Sequence, residues 1–175
     1  MRNWQMSTAL AVIALSAAAW AMPTDYQPAD GTYYKVSNQV RGTGMNLDVV
    51  NGGARNNEIL LSPDGNFSGQ LWHIAQAPGQ NYYTLKTQFG GENMCLDINL
   101  PSMRPHLNTC GNYTGQHWHI VSSHAGPDFR ALYNDTQGNG TCLDINRDDN
   151  AVEMRPCNRS AGQAWMFVDT GKSTP

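Results

Sequence analysis

Gly115-Gln116-His117-Trp118 is one of three Gly-Gln-x-Trp elements in this chain; the others are Gly69-Gln70-Leu71-Trp72 and Gly162-Gln163-Ala164-Trp165. Their tryptophans lie 46 and 47 residues apart. A period of that length marks a repeated supersecondary unit, which cannot bury its own apolar face and is stable only against its neighbours. Working outward, Leu47-Asp48-Val49, Leu96-Asp97-Ile98 and Leu143-Asp144-Ile145 hold equivalent places. Leucine to motif glutamine is 20 residues in copies two and three and 23 in copy one, the extra residues falling at Asn51-Gly52-Gly53. An aromatic stands 14 residues before each leucine (Tyr33, Tyr82, Phe129) and an aliphatic 11 before it (Val36, Leu85, Leu132).

Each copy reads as four short strands. The first carries the aromatic stretch (32–38, 82–87, 129–134), the second the Leu-Asp pair, the third spans 58–62, 106–110 and 152–157, and the fourth carries Gln-x-Trp. Apolar alternation over short segments supports strands, and the Asn-Gly, Gly-Gly and Pro-Asp-Gly elements between them support turns. The expected fold class is all-β, with twelve strands in three units, over about 31–76, 77–123 and 124–169, closed about a pseudo-threefold axis. Closure removes exposed sheet edges.

The N-terminus reads as a secretory leader over residues 1–21. Arg2 is its positive end, 9–19 its apolar run and Ala19-Trp20-Ala21 its small-x-small cleavage site. The rest, 22–175, is long enough for a single domain with a core. No other segment approaches the roughly 20 apolar residues of a membrane span. Charged residues are 14% of the chain and the net charge is -3. Without a basic block, nucleic acid is excluded as an expected partner.

Cys95 and Cys110 are 15 residues apart, as are Cys142 and Cys157, each pair at the same two places of its copy. In a secreted chain this reads as two disulfides, one within each copy. Copy one has Asn46 and Asp64 there and no bridge. No close Cys-x-x-Cys pair suggests a metal site, and His117 and His119, on one side of a strand, lack a third ligand at a set spacing. No metal or cofactor is expected. No nucleophile elbow, zinc-protease helix or phosphate-cradling glycine loop occurs, so no enzyme is expected. Asn-x-Ser/Thr triplets stand at Asn66, Asn112, Asn134, Asn139 and Asn158.

The Leu-Asp, Cys and Gly-Gln-x-Trp elements at these spacings resemble the ricin-type β-trefoil lectins, also called R-type lectins or family 13 carbohydrate-binding modules. The resemblance covers roughly residues 31 to 169. It implies a β-trefoil whose motif tryptophans pack in the shared core, and a secreted carbohydrate-binding protein with up to three shallow sites. The Leu-Asp carboxylates, Asp48, Asp97 and Asp144, would then accept sugar hydroxyls, since an ionised carboxylate offers several lone pairs. The alternative for each is bonding to turn amides.

The sequence departs from the resembled pattern at the plate that would cover a sugar's C–H face. Two and four residues before the second cysteine the lectins carry an aromatic and a Gln; this chain has Asn108 and His106 in copy two, Arg155 and Glu153 in copy three, and Ser62 and Leu60 in copy one. The family's Asn before the motif Gln is Gly69, Gly115 or Gly162. The expected sites are therefore Asp97, Asn99, His106 and Asn108 in copy two and Asp144, Asn146, Glu153 and Arg155 in copy three. Gln116 and Gln163 are polar contacts or framework, and copy one, around Asp48, is the weakest. Phe67 and Tyr113, three residues before a motif Gln, are either plates from another direction or loop covers over the core. Glycans are the expected partners. The rival reading is a trefoil that has lost sugar binding and serves as a protein-interaction or accessory subunit of a secreted toxin or enzyme, or as a protease inhibitor.

Overall fold

A computed structural model describes residues 27–29 and 31–175; the secretory leader expected over 1–21 lies outside them. The strands are β1 (Thr32–Asn38), β2 (Gly42–Val49), β3 (Ile59–Pro63), β4 (Trp72–Gln76), β5 (Tyr83–Thr87), β6 (Met94–Asn99), β7 (Arg104–Thr109), β8 (Trp118–Ser122), β9 (Phe129–Asn134), β10 (Gly138–Ile145), β11 (Val152–Pro156) and β12 (Trp165–Ser173). The first and fourth strands of each unit pair antiparallel around a closed ring, β1-β4-β5-β8-β9-β12 and back to β1. The second and third form hairpins, β2–β3, β6–β7 and β10–β11. This is the all-β, twelve-stranded β-trefoil that the resemblance implies.

The repeated sequence positions converge on one core. Trp72, Trp118 and Trp165, Leu47, Leu96 and Leu143, and Val36, Leu85 and Leu132 are all fully buried. A buried indole leaves an N–H that needs an acceptor. Here Trp72, Trp118 and Trp165 Nε1 donate to the carbonyls of Leu47, Leu96 and Leu143 at 2.8, 2.9 and 2.8 Å. Each motif tryptophan is thereby tied to the Leu-Asp strand of its own unit. The upstream aromatics do not share one environment. Tyr33 is buried, whereas Tyr82 and Phe129 are half-buried.

The hairpins close on one another in threefold order. Leu107 N–H donates to Asn57 O at 2.8 Å, Met154 to Met103 O at 2.9 Å and Leu61 to Asn150 O at 3.0 Å. The acceptors all have left-handed φ, 69°, 59° and 60°, which turns each hairpin tip toward its neighbour. Between units, Asn38 Nδ2 donates to Gly162 O at 2.8 Å and Asn134 Nδ2 to Gly115 O at 2.7 Å. Asn134 is fully buried in that role.

Cys95–Cys110 and Cys142–Cys157 are disulfides, each inside one unit. In unit one a polar network stands in their place. Asn46 Nδ2 donates to Asp64 Oδ1 at 2.7 Å, Ser37 Oγ donates to Asn46 Oδ1 at 2.8 Å, and Lys35 Nζ pairs with Asp64 and donates to Gly65 O at 3.0 Å. The bonded Lys35 ammonium holds the Asp64 carboxyl below the usual carboxylate range, against a smaller desolvation effect. A 15-residue loop closed by a disulfide stabilises by about 3 kcal/mol. Replacing Cys95 and Cys110 by alanine is expected to lower the unfolding free energy by about that much. Urea denaturation reads it, and a midpoint unchanged from the parent protein would contradict it.

Candidate functional site

Each unit presents the same corner, built by its Leu-Asp carboxylate, its motif glutamine and the glycine before it. The glutamine is a three-way strut. Its Nε2 donates to the Asp Oδ2 (Gln70 to Asp48 at 3.1 Å, Gln116 to Asp97 and Gln163 to Asp144 at 3.0 Å). The same amide nitrogen donates to the carbonyls of Pro63, Thr109 and Pro156 at 2.8, 2.9 and 2.9 Å. Its Oε1 accepts from the amides of Gly65, Gly111 and Asn158 at 3.0, 2.9 and 2.9 Å. Gln116 is 0% and Gln163 3% exposed. The amide nitrogen and oxygen of both side chains are engaged in bonds inside their own corner.

The carboxylates face inward too. Asp Oδ1 accepts from the next residue's amide, Val49, Ile98 or Ile145, at 2.8, 2.8 and 2.7 Å. Asp97 is 6% and Asp144 5% exposed. The glycine explains this enclosure. A Cβ at Gly69, Gly115 or Gly162 would stand 2.4, 2.0 or 2.2 Å from the Oδ1 of Asp48, Asp97 or Asp144. The carboxylate takes the space a side chain at that position would need, so glycine fits there.

Asn108 Nδ2 adds a bond to Asp97 Oδ2 at 3.1 Å, and His106 pairs with Asp97 across the hairpin. Asn108 Oδ1 is occupied by the Thr109 amide at 2.9 Å, and His106 Nδ1 is buried without a partner. Asn99 is exposed at the end of β6. In unit three Asn146 Oδ1 accepts from the Asp148 amide at 3.0 Å and shapes its turn. Arg155 Nε donates to Glu153 Oε1 at 2.8 Å, and this pair holds the Arg155 pKa above its ordinary value. Within the polar sets of units two and three the bonds are Asn108 to Asp97 and Arg155 to Glu153, while Asn146 bonds within its own turn and Asn99 stands exposed at a strand end.

In unit one a hollow of about 760 Å³ opens beside Asp48, with Ser62, Asp64, Asn66, Phe67 and Phe89 among its lining residues. That volume lies within the range of small-molecule sites. Asp48 Oδ2 accepts from Ser62 Oγ as well as from Gln70. Phe67 is 58% exposed, and its ring lies over Gly65, where a Cβ would come within 2.2 Å of Phe67 Cε2. Tyr113 repeats the arrangement in unit two, 58% exposed over Gly111, where the same construction gives 2.4 Å. Phe89 belongs to the following unit, seven residues before Leu96; its equivalents are Val40 and Thr136. Sequence reasoning missed it because a wall borrowed from the next repeat is not adjacent to the motif in the chain. The only signal was an aromatic at an offset where the other copies have none.

His117 and His119 share one carboxylate: His119 Nε2 lies 2.7 Å from Asp135 Oδ1 and His117 Nδ1 3.4 Å from Asp135 Oδ2. Tyr82 stacks on His117 and Tyr133 on His119, with centroids 3.8 and 4.5 Å apart. Among the described residues no group of three or more His, Cys, Asp or Glu side chains is arranged to hold a metal ion, and no helix is long and apolar enough to cross a membrane.

No curated protein matches the sequence. A designed threefold-symmetric protein, ThreeFoil, is similar at 23% identity and TM-score 0.66, over 80% of this chain and 99% of that one. A ricin B-like lectin of Macrolepiota procera, solved with lactose, is similar at 19% identity and TM-score 0.62, over 82% and 99%. A proteinase inhibitor from Coprinopsis cinerea is similar at 17% identity and TM-score 0.61, over 81% and 99%. These likenesses show the fold. The family model of the ricin-type beta-trefoil lectin domain matches residues 32–165. With its three Gly-Gln-x-Trp corners and closed threefold barrel, the chain belongs to the ricin-type β-trefoil lectin domain family.

Proposed function

We propose that this protein is a secreted, non-enzymic carbohydrate binder whose principal site is the hollow of unit one. The observation that carries the reading is an open, partly apolar hollow beside the Leu-Asp carboxylate of a lectin-domain fold. Phe67 supplies a pre-placed face for the C–H side of a pyranose, and Phe89 a second wall. Ser62, Asp64, Asn66 and the remaining lone pairs of Asp48 supply hydroxyl partners. This order of sites differs from the one read in the sequence, where unit one ranks last. Asp97, Asn99, His106 and Asn108, and Asp144, Asn146, Glu153 and Arg155, are secondary polar surfaces in this proposal. Two disulfides fit an oxidising, extracellular location. The partners are glycans or glycoconjugates.

A shallow site with a few hydrogen bonds, each contributing about 0.5–1.5 kcal/mol net, binds weakly. Multivalent glycans raise its apparent strength. Phe67→Ala is expected to weaken binding to the best oligosaccharide of a glycan array about tenfold, from loss of roughly 1 kcal/mol or more of aromatic contact. Because Phe67 is exposed, thermal unfolding should be unchanged. Equal binding by the variant and the parent would remove the hollow from the account.

One observation favours a second reading. The enclosed Asp97 and Asp144, with Arg155 engaged by Glu153, fit a fold that has kept its framework and presents units two and three to a protein. A proteinase inhibitor from Coprinopsis cinerea has a similar fold. Binding partners recovered from the source's secretions that free sugars fail to displace would favour this alternative.

A further inference from the structure

We propose that unit two carries a second sugar-stacking site, built on Tyr113, and that unit three carries none, so the protein is divalent. This rests on the carbohydrate reading above but not on the same residues. Gly111-Asn112-Tyr113-Thr114-Gly115-Gln116 repeats Gly65-Asn66-Phe67-Ser68-Gly69-Gln70 position by position. In both loops the buried glutamine Oε1 holds the amide of the first glycine, at 2.9 and 3.0 Å. The aromatic ring two residues later then packs against that glycine. Any side chain there would stand 2.2–2.4 Å from the ring, so glycine is required for the ring to sit where it does. Each ring is held against that glycine, and each residue remains 58% exposed. An aromatic held in place before binding loses little freedom when a sugar's C–H face meets it.

Unit three breaks both halves of the pattern. Asn158 stands where the glycine is needed and Ser160 where the ring would be. Asn158 Oδ1 accepts from the Ser160 amide at 2.9 Å, so a local turn replaces the ring-on-glycine arrangement. The two plates also differ in their flanks. Phe67 has Phe89 nearby in the hollow. At the equivalent place unit two has Thr136, whose Oγ1 lies 3.1 Å from Thr114 Oγ1. Site one therefore offers two apolar walls, and site two a phenol ring beside a hydroxyl pair. The second takes a sugar with one apolar face and a polar edge.

The test is calorimetric titration of the mature protein with lactose, xylotriose, mannotriose and chitotriose. With at least one of these, two sites per chain are expected. Phe67→Ala and Tyr113→Ala should each leave one, and the double variant none, with thermal unfolding unchanged because both rings are exposed. Installing the pattern in unit three, by Asn158→Gly with Ser160→Tyr, should raise the number to three. Binding that disappears with Phe67→Ala alone, or a stoichiometry that Tyr113→Ala does not alter, overturns the second site and leaves the carbohydrate reading standing. No heat with any of the four sugars overturns both.

Discussion

Trp118→Ala is expected to lower the unfolding free energy by about 3–5 kcal/mol, the range for deleting a buried Phe or Trp side chain. Two losses combine. The indole is fully buried where the three units meet, so its removal leaves a cavity that a closed barrel cannot collapse. Its Nε1 also satisfies the buried carbonyl of Leu96 at 2.9 Å, and that acceptor would be left without its donor. Trp118→Phe removes the hydrogen bond with a much smaller loss of volume, for about 1–2 kcal/mol. Urea denaturation followed by circular dichroism measures both. A loss below about 1 kcal/mol for Trp118→Ala would be inconsistent with a shared core.

The second large effect concerns the carboxylates. Asp97→Ala with Asp144→Ala is expected to cost about 4 kcal/mol of stability, roughly 2 kcal/mol each, because a buried donor left unpaired costs about 1–3 kcal/mol. Asp97 accepts from Ile98 N, Gln116 Nε2 and Asn108 Nδ2; Asp144 accepts from Ile145 N and Gln163 Nε2. The two sites lie in different units with no shared partner, so their effects should add. The readout is the denaturation midpoint of the single and double variants, with glycan binding measured in parallel. A double variant as stable as the parent that has lost sugar binding would return these residues to the role of direct ligands and displace Phe67 and the hollow from first place.

Much of the fold was legible because the information is local and repeated three times. The offsets of Val36, Leu85 and Leu132, of the Leu-Asp leucines and of the motif tryptophans each identified positions that are fully buried. The cysteine spacings predicted the two intra-unit bridges. The site was less legible. The aspartates and motif glutamines look alike as hydroxyl partners and as struts, and their mutual bonds and burial appear only in the fold. The glycine before each motif Gln looked like a lost contact. In the fold it is the space that lets the carboxylate turn inward.

The sequence by itself determined a triplicated strand unit, its core positions, its bridges and the family, because burial patterns and close covalent partners are written at fixed offsets along the chain. Only the tertiary structure decided where a hollow forms. A hollow is made by residues far apart in sequence: Phe89 reaches the Asp48 corner from the next unit, and the Asn46–Asp64–Lys35 network holds the loop of Phe67 where the other units use a disulfide. Which side chain lines a cavity and which braces its floor depends on the closing of the barrel, and no spacing within one unit encodes that.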